Sequence, residues 1–208
     1  MGNQAMCNDY GNHVPYRDYA EAFSQLKIPL VFPKPGAAPN LEPRDEIWPT
    51  ETAPVIRPAP GGVELVQLPW GLAPSNPKAR AVINMRSEGR SFARGRCLVP
   101  ASHYYEFTGT KSPKTRWRFS RAGADWFCFA GLVGRAVTAD GTPIEAFTLL
   151  TVDAGPDVTP YHTRQPVVLG RDNWAAWLNA SHPSQDVLKA SPAGSLQVVE
   201  SPRLAPPE

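Results

Sequence analysis

Apolar positions along this chain recur mostly every second residue, in short bursts, and only rarely every third or fourth. Residues 17–26 set Tyr19, Phe23 and Leu26 on one side of a 3.6-residue period, which predicts a short amphipathic helix. From residue 33 to 62 eight prolines break any period, and the stretch reads as an extended, irregular loop. The residues before it are too few to fold alone, so it is not a linker between domains. Residues 63–68 form a strand pattern that enters Pro69-Trp70-Gly71-Leu72. Further strands are predicted at 96–100, at the aromatic-rich 102–107 and at 116–120. Residues 126–133 and 147–152 are apolar without alternation, as expected of central strands covered on both faces. A short strand at 167–169 follows, and Asp172 is placed to cap a helix whose Trp174, Trp177 and Leu178 share a face. Residues 184–189 suit one helical turn and 195–200 a last strand. No βαβ alternation is present. The pattern predicts a single α+β domain with a mostly antiparallel, barrel-like β core and a few short flanking helices.

Composition narrows the class. At 208 residues, 42% of them hydrophobic and 10% aromatic, the chain can bury one substantial core. It has no apolar run long enough to span a membrane, and its first residues lack the basic and apolar regions of a secretory signal. Its three cysteines, Cys7, Cys97 and Cys128, form neither a disulfide framework nor a zinc motif. No metal and no cofactor are expected, and a reducing cytoplasm is the expected compartment. The net charge of +2 hides an asymmetry: between Lys78 and Arg121 eleven Lys or Arg face two acids, whereas the remainder holds ten bases and seventeen acids. A basic surface facing a polyanion, or a solvated rim on strands and hairpins, would each produce this.

Four polar stretches stand out: Cys7 directly after Met6, Asn84-Met85-Arg86-Ser87-Glu88, Tyr104-Tyr105-Glu106-Phe107, and Tyr161-His162-Thr163-Arg164-Gln165-Pro166. If the chain is cut at Met6, Cys7 presents an amine and a thiol on adjacent carbons. Such groups ordinarily titrate near about 8 and about 8.5, so both keep a reactive fraction at neutral pH. A 1,2-aminothiol condenses with an aldehyde through both atoms to close a thiazolidine. Each stretch also has an ordinary structural explanation. Asn84 could cap a turn placed as a loop or helix start, Glu106 could pair with an arginine, His162 could be a hydrogen-bonded loop residue, and Trp70 could be core.

Together with Trp70-Gly71-Leu72-Ala73-Pro74 and Arg96-Cys97-Leu98-Val99-Pro100, these stretches occur in the order found in the SOS response-associated peptidase (SRAP) family, which the chain resembles from Met6 to about Leu178. The resemblance implies a compact α+β domain at residues 7–208 after an extension or propeptide at 1–6. It also implies a role in the DNA damage response: binding single-stranded DNA and crosslinking abasic sites through the exposed cysteine, with peptide-bond hydrolysis and lyase-type chemistry alongside. Carried over residue by residue, Cys7 is the nucleophile, and Asn84, Glu106 and His162 surround it. Arg86 and Trp70 match DNA-contacting positions, and Lys78, Arg80, Arg90 and Arg164 are further candidates for phosphates. In this reading Glu106, desolvated between aromatics, is the acid. His162 carries a proton, because an imidazole ordinarily titrates in the neutral range. The partner would be single-stranded DNA containing abasic sites, met by a monomer that associates with the nucleoid in a bacterium.

Three departures matter. Asn8-Asp9 stands where the family usually has Gly-Arg, so an acid replaces an expected phosphate-binding base. Gln165 and Phe107 stand where Met and Trp are common. Residues 1–6 would leave Cys7 without a free amine, whether they are an expression remnant, the result of an upstream start codon, or a propeptide. A cysteine peptidase acting on itself or other proteins, and a non-catalytic single-stranded-DNA-binding module, are the competing readings.

Overall fold

A computed structural model describes residues 8–31, 41–76 and 78–202; Cys7 and the extension lie outside these described residues. The elements run β1 (Tyr10–Asn12), α1 (Tyr16–Gln25), β2 (Leu30–Val31), β3 (Arg44–Ile47), β4 (Thr52–Ala59), β5 (Gly62–Pro69), β6 (Asn84–Arg86), β7 (Arg96–Ala101) and β8 (His103–Thr108). They continue with β9 (Thr115–Arg121), β10 (Phe127–Val137), β11 (Pro143–Asp153), β12 (Arg164–Pro166), β13 (Val168–Leu169), α2 (Trp174–Leu178) and β14 (Leu196–Glu200).

Two open sheets carry the fold. One has the order β14-β9-β8-β1-β3; the other has the order β12-β11-β10-β7-β4-β5-β2, with β13 against β10 and β6 against β11. Pairing is antiparallel except where β2 meets β5 and β6 meets β11. The α+β class with a barrel-like core therefore holds, although neither sheet closes on itself.

Strand β10 shows why the sequence reads as uninterrupted apolar residues. Its Cys128, Ala130 and Leu132 face a cluster with α1 and α2, including Phe23, Trp174 and Trp177. Its Phe127 and Phe129 face the opposite way, into a cluster shared between the two sheets with Tyr10, Trp70, Tyr104, Phe119, Phe147 and Leu149. Both faces are buried, so alternation disappears. Fully burying a Phe contributes about 1.5–3 kcal/mol, which makes the aromatic layer between the sheets a principal source of stability.

The helix read at 17–26 forms as α1, which begins after Pro15, a residue suited to a helix start. Three sequence expectations need correction. The supposed loop at 33–62 contains β3 and β4, because β4 pairs along its full length with β5 but meets β7 only at Ile56↔Leu98. That sparsely paired side leaves ladder positions where Pro54 and Pro58 are tolerated. Asn84–Arg86 is a strand parallel to β11, not a loop or helix start. Asp172 does not cap α2; it lies in a single 3-10 turn at Arg171–Asn173 that leads into the helix, and neither the turn nor the helix has a side-chain cap hydrogen bond.

Candidate functional site

The described chain starts inside the five-stranded sheet. Strand β1 lies antiparallel to β8, with Tyr10 opposite Tyr104 and Gly11 opposite His103. The Tyr105 N–H donates to Asp9 O at 3.0 Å, so the pairing continues one residue before β1. Cys7 stands two residues before Asp9 in the sequence. Alternation then sorts the side chains. Tyr10 points into the inter-sheet cluster, with its ring 5.2 Å from Trp70 and 5.6 Å from Phe129.

Asp9 points to the other face and is fully buried. It accepts from Arg116 at 3.1 Å, and the same guanidinium reaches Glu46 at 2.5 Å and lies 3.4 Å over the Tyr105 ring. The acid that replaces the family's usual base is therefore an internal anchor for the N-terminal strand, not an acid at the surface.

Glu106 is 1% exposed and sits opposite Trp117 on β9. The Trp117 indole donates to Thr108 Oγ1 at 2.8 Å, and its ring lies 4.7 Å from that of Tyr161. Tyr161 also meets Phe119 edge-on, so the turn carrying His162 is seated on the β8–β9 pair. His162 is itself buried, and its Nδ1 lies 3.0 Å from both the nitrogen and the oxygen of Arg164. The N–H can only donate and the carbonyl can only accept, so the ring's tautomer decides which of the two Nδ1 engages.

Asn84 enters from the other sheet, opposite Leu149 of β11. The preceding Ile83 carbonyl accepts from the Trp70 indole at 2.8 Å and from Leu149 N at 3.0 Å, which fixes β6. Further along, the Ser87 backbone and hydroxyl both donate to Thr151 O. Glu88 then receives a two-pronged ion pair from Arg164, at 2.5 and 2.8 Å. Arg164 also reaches Asp153 Oδ1 at 2.6 Å, Thr151 O at 3.0 Å and Thr151 Oγ1 at 3.1 Å. Its hydrogen bonds hold the Glu88 carboxyl below the usual carboxylate range. The Asn84–Glu88 and His162–Gln165 stretches are thereby joined around the end of β11. Ile83, Trp117 and Tyr161, one from each flanking segment, all pack against the inter-sheet cluster that holds Tyr10.

The predicted DNA-contacting residues divide. Lys78, Arg80, Arg86 and Arg90 are exposed. Trp70 is fully buried, stacked on Phe147, and presents no free face. Arg164 is committed to the network just described. The wider basic segment divides the same way. Arg96 is buried and donates to the carbonyls of Phe92, Asn179 and His182, whereas Lys111 and Lys114 are exposed on the β8–β9 hairpin. A cleft of about 610 Å³ opens beside that hairpin, between Phe107, Lys114 and Arg116 on one side and Glu200 on the other.

Sequence reasoning gave no role to Glu88, Asp153, Glu46 or Arg116. Glu88 lay inside a quoted motif, but nothing in the sequence marked the other three. Among the described residues no group of side chains could hold a metal ion, and no helix is long and apolar enough to cross a membrane.

Polar stretches from both sheets thus flank one aromatic cluster, shared with Tyr10 of the N-terminal strand, in an α+β domain. The chain belongs to the SOS response associated peptidase (SRAP) family, whose model matches residues 6–202. It is 28% identical over 193 residues to the abasic site processing protein YoaM of Bacillus subtilis, covering 86% of this chain and 83% of that one. It is 25% identical over 194 residues to YobE of the same organism, also named an abasic site processing protein, covering 86% of each. Its fold matches a crystal structure of a Bordetella bronchiseptica protein at a TM-score of 0.74 and 24% identity, covering 95% of this chain and 100% of that one. A Bacteroides thetaiotaomicron protein shares the fold at a TM-score of 0.71 and 18% identity, covering 93% and 91%.

Proposed function

We propose that this protein processes abasic sites in DNA: it binds single-stranded DNA and captures the lesion covalently through Cys7. The family membership and the relatives' names support the substrate. The antiparallel pairing of the N-terminal strand with β8, the strand that carries Glu106, is the observation that supports the mechanism.

An abasic sugar opens to an aldehyde. The free Cys7 amine attacks that carbon and loses water to give a Schiff base, and the thiolate then adds to the same carbon to close a thiazolidine. Glu106 protonates the sugar oxygen and the departing hydroxyl, His162 carries the second proton, and Asn84 holds the sugar oxygen or the cysteine without titrating. Lys78, Arg80, Arg86 and Arg90 take the phosphates.

The amine must first be freed from residues 1–6. In this reading the Cys7 thiol attacks the Met6 carbonyl carbon, the acyl group shifts from nitrogen to sulfur, and water hydrolyses the thioester. That self-cleavage is a peptidase activity confined to one bond.

Cys7→Ala tests the proposal. The expected outcome is loss of any denaturation-resistant complex with an abasic oligonucleotide, while reversible single-strand binding persists. Persistent covalent capture by Cys7→Ala would sink the mechanism. General cleavage of unrelated proteins by the unmodified chain would favour the broader peptidase reading.

A further inference from the structure

We propose that Arg164 is a positioning residue, which seats the His162 imidazole and ties it to the Asn84 strand, instead of a ligand for DNA phosphate. The Arg164 guanidinium donates to Glu88 through both terminal nitrogens, to Asp153, and to the backbone and hydroxyl of Thr151. Its side chain is only 10% exposed. To take a phosphate it would have to surrender charge-assisted hydrogen bonds already made inside the protein. Arg86, opposite Thr151 on β6, is exposed and better suited to that task.

Thr151 and Asp153 lie on β11, and Glu88 lies just past the end of β6, so the side chain fastens the Arg164 backbone to two elements at once. That backbone holds His162 Nδ1, offering an N–H and a carbonyl at equal 3.0 Å distances. A bare Nδ1 accepts from the N–H, and an Nδ1–H donates to the carbonyl. The ring keeps its seat in either state, and Nε2 is the nitrogen left for substrate. A fork is needed for this arrangement, and the single ammonium of lysine cannot supply it.

The meaning of any lost crosslinking rests on the function proposed above; the role of Arg164 does not. The test compares the full chain with Arg164→Ala and Arg164→Lys by three readouts. These are the rate of crosslinking to an abasic oligonucleotide, the salt dependence of binding to an unmodified single strand, and the long-range ¹H–¹⁵N spectrum of the His162 ring, assigned with His162→Gln. Both variants are expected to fold, because Glu88 and Asp153, with side chains 43% and 86% exposed, return to water when the arginine is lost.

The expected results are a crosslinking rate reduced about tenfold or more in both variants, an unchanged salt slope, and His162 ring signals that shift and broaden relative to the parent chain. The proposal is overturned if Arg164→Lys keeps the parent rate. It is equally overturned if the salt slope falls by about 0.7, the loss of one single-strand phosphate contact, with unaltered His162 signals. If the unsubstituted chain with a free Cys7 amine forms no crosslink, the functional reading fails. The ring spectra and the salt slope still decide Arg164.

Discussion

At Asp9 one carboxylate settles how the N-terminal strand is held. It is fully buried, faces Arg116 at 3.1 Å, and sits two residues from the proposed nucleophile. Breaking a buried ion pair by removing one partner costs about 3–5 kcal/mol, and Glu46 remains on Arg116, so Asp9→Ala should fall near the lower end. Urea denaturation will read this; a loss below about 1 kcal/mol, the range of a surface pair, would contradict the anchoring role. His103, on the same face, gives a pH signature. Burial, chiefly, lowers its pKa from 6.5 to about 4, and its Nδ1 accepts from Arg118. Protons then bind the unfolded chain more readily than the folded one. This contribution is full above about 6.5 and is lost as pH falls toward 4. Replacing His103 with Gln should flatten the fall in urea midpoint between pH 7 and pH 4.5, and an unchanged fall would remove His103 from the account.

At the scale of elements, the long apolar strands were legible because β10 and β11 bury both faces and leave no alternation to misread. Strand β6 was not, since three residues paired parallel to β11 carry no usable period. Its position depends on Trp70, whose indole holds the Ile83 carbonyl immediately before Asn84. The same buried ring meets Tyr10 on β1, so Trp70 links the N-terminal strand to the strand of Asn84. A motif that marks Trp70 cannot tell a base-stacking ring from one that positions two strands; burial can. Trp70→Ala should cost about 3–5 kcal/mol of stability and leave the salt slope of DNA binding unchanged. A stable variant with weakened binding would return Trp70 to the DNA surface.

For the whole molecule, the charge asymmetry was readable in composition, but its division was not. Arg96 and Arg116 are buried within the basic segment, while Lys78, Arg80, Arg86 and Arg90 are exposed. Spacing along a strand does not say which arginine finds an acid in the fold, because Asp9 and Glu88 are remote in sequence from the arginines they hold. Replacing Arg86 or Arg90 with Ala should each lower the salt slope of single-strand binding by about 0.7, a titration at several salt concentrations being the check.

The central claim is covalent capture through Cys7, and intact-mass spectrometry tests it most directly, before and after incubation with a single-stranded oligonucleotide bearing one abasic site. The account predicts a protein mass beginning at Cys7 and then an adduct heavier by the oligonucleotide less one water. A mature Cys7 terminus that forms no adduct would contradict it.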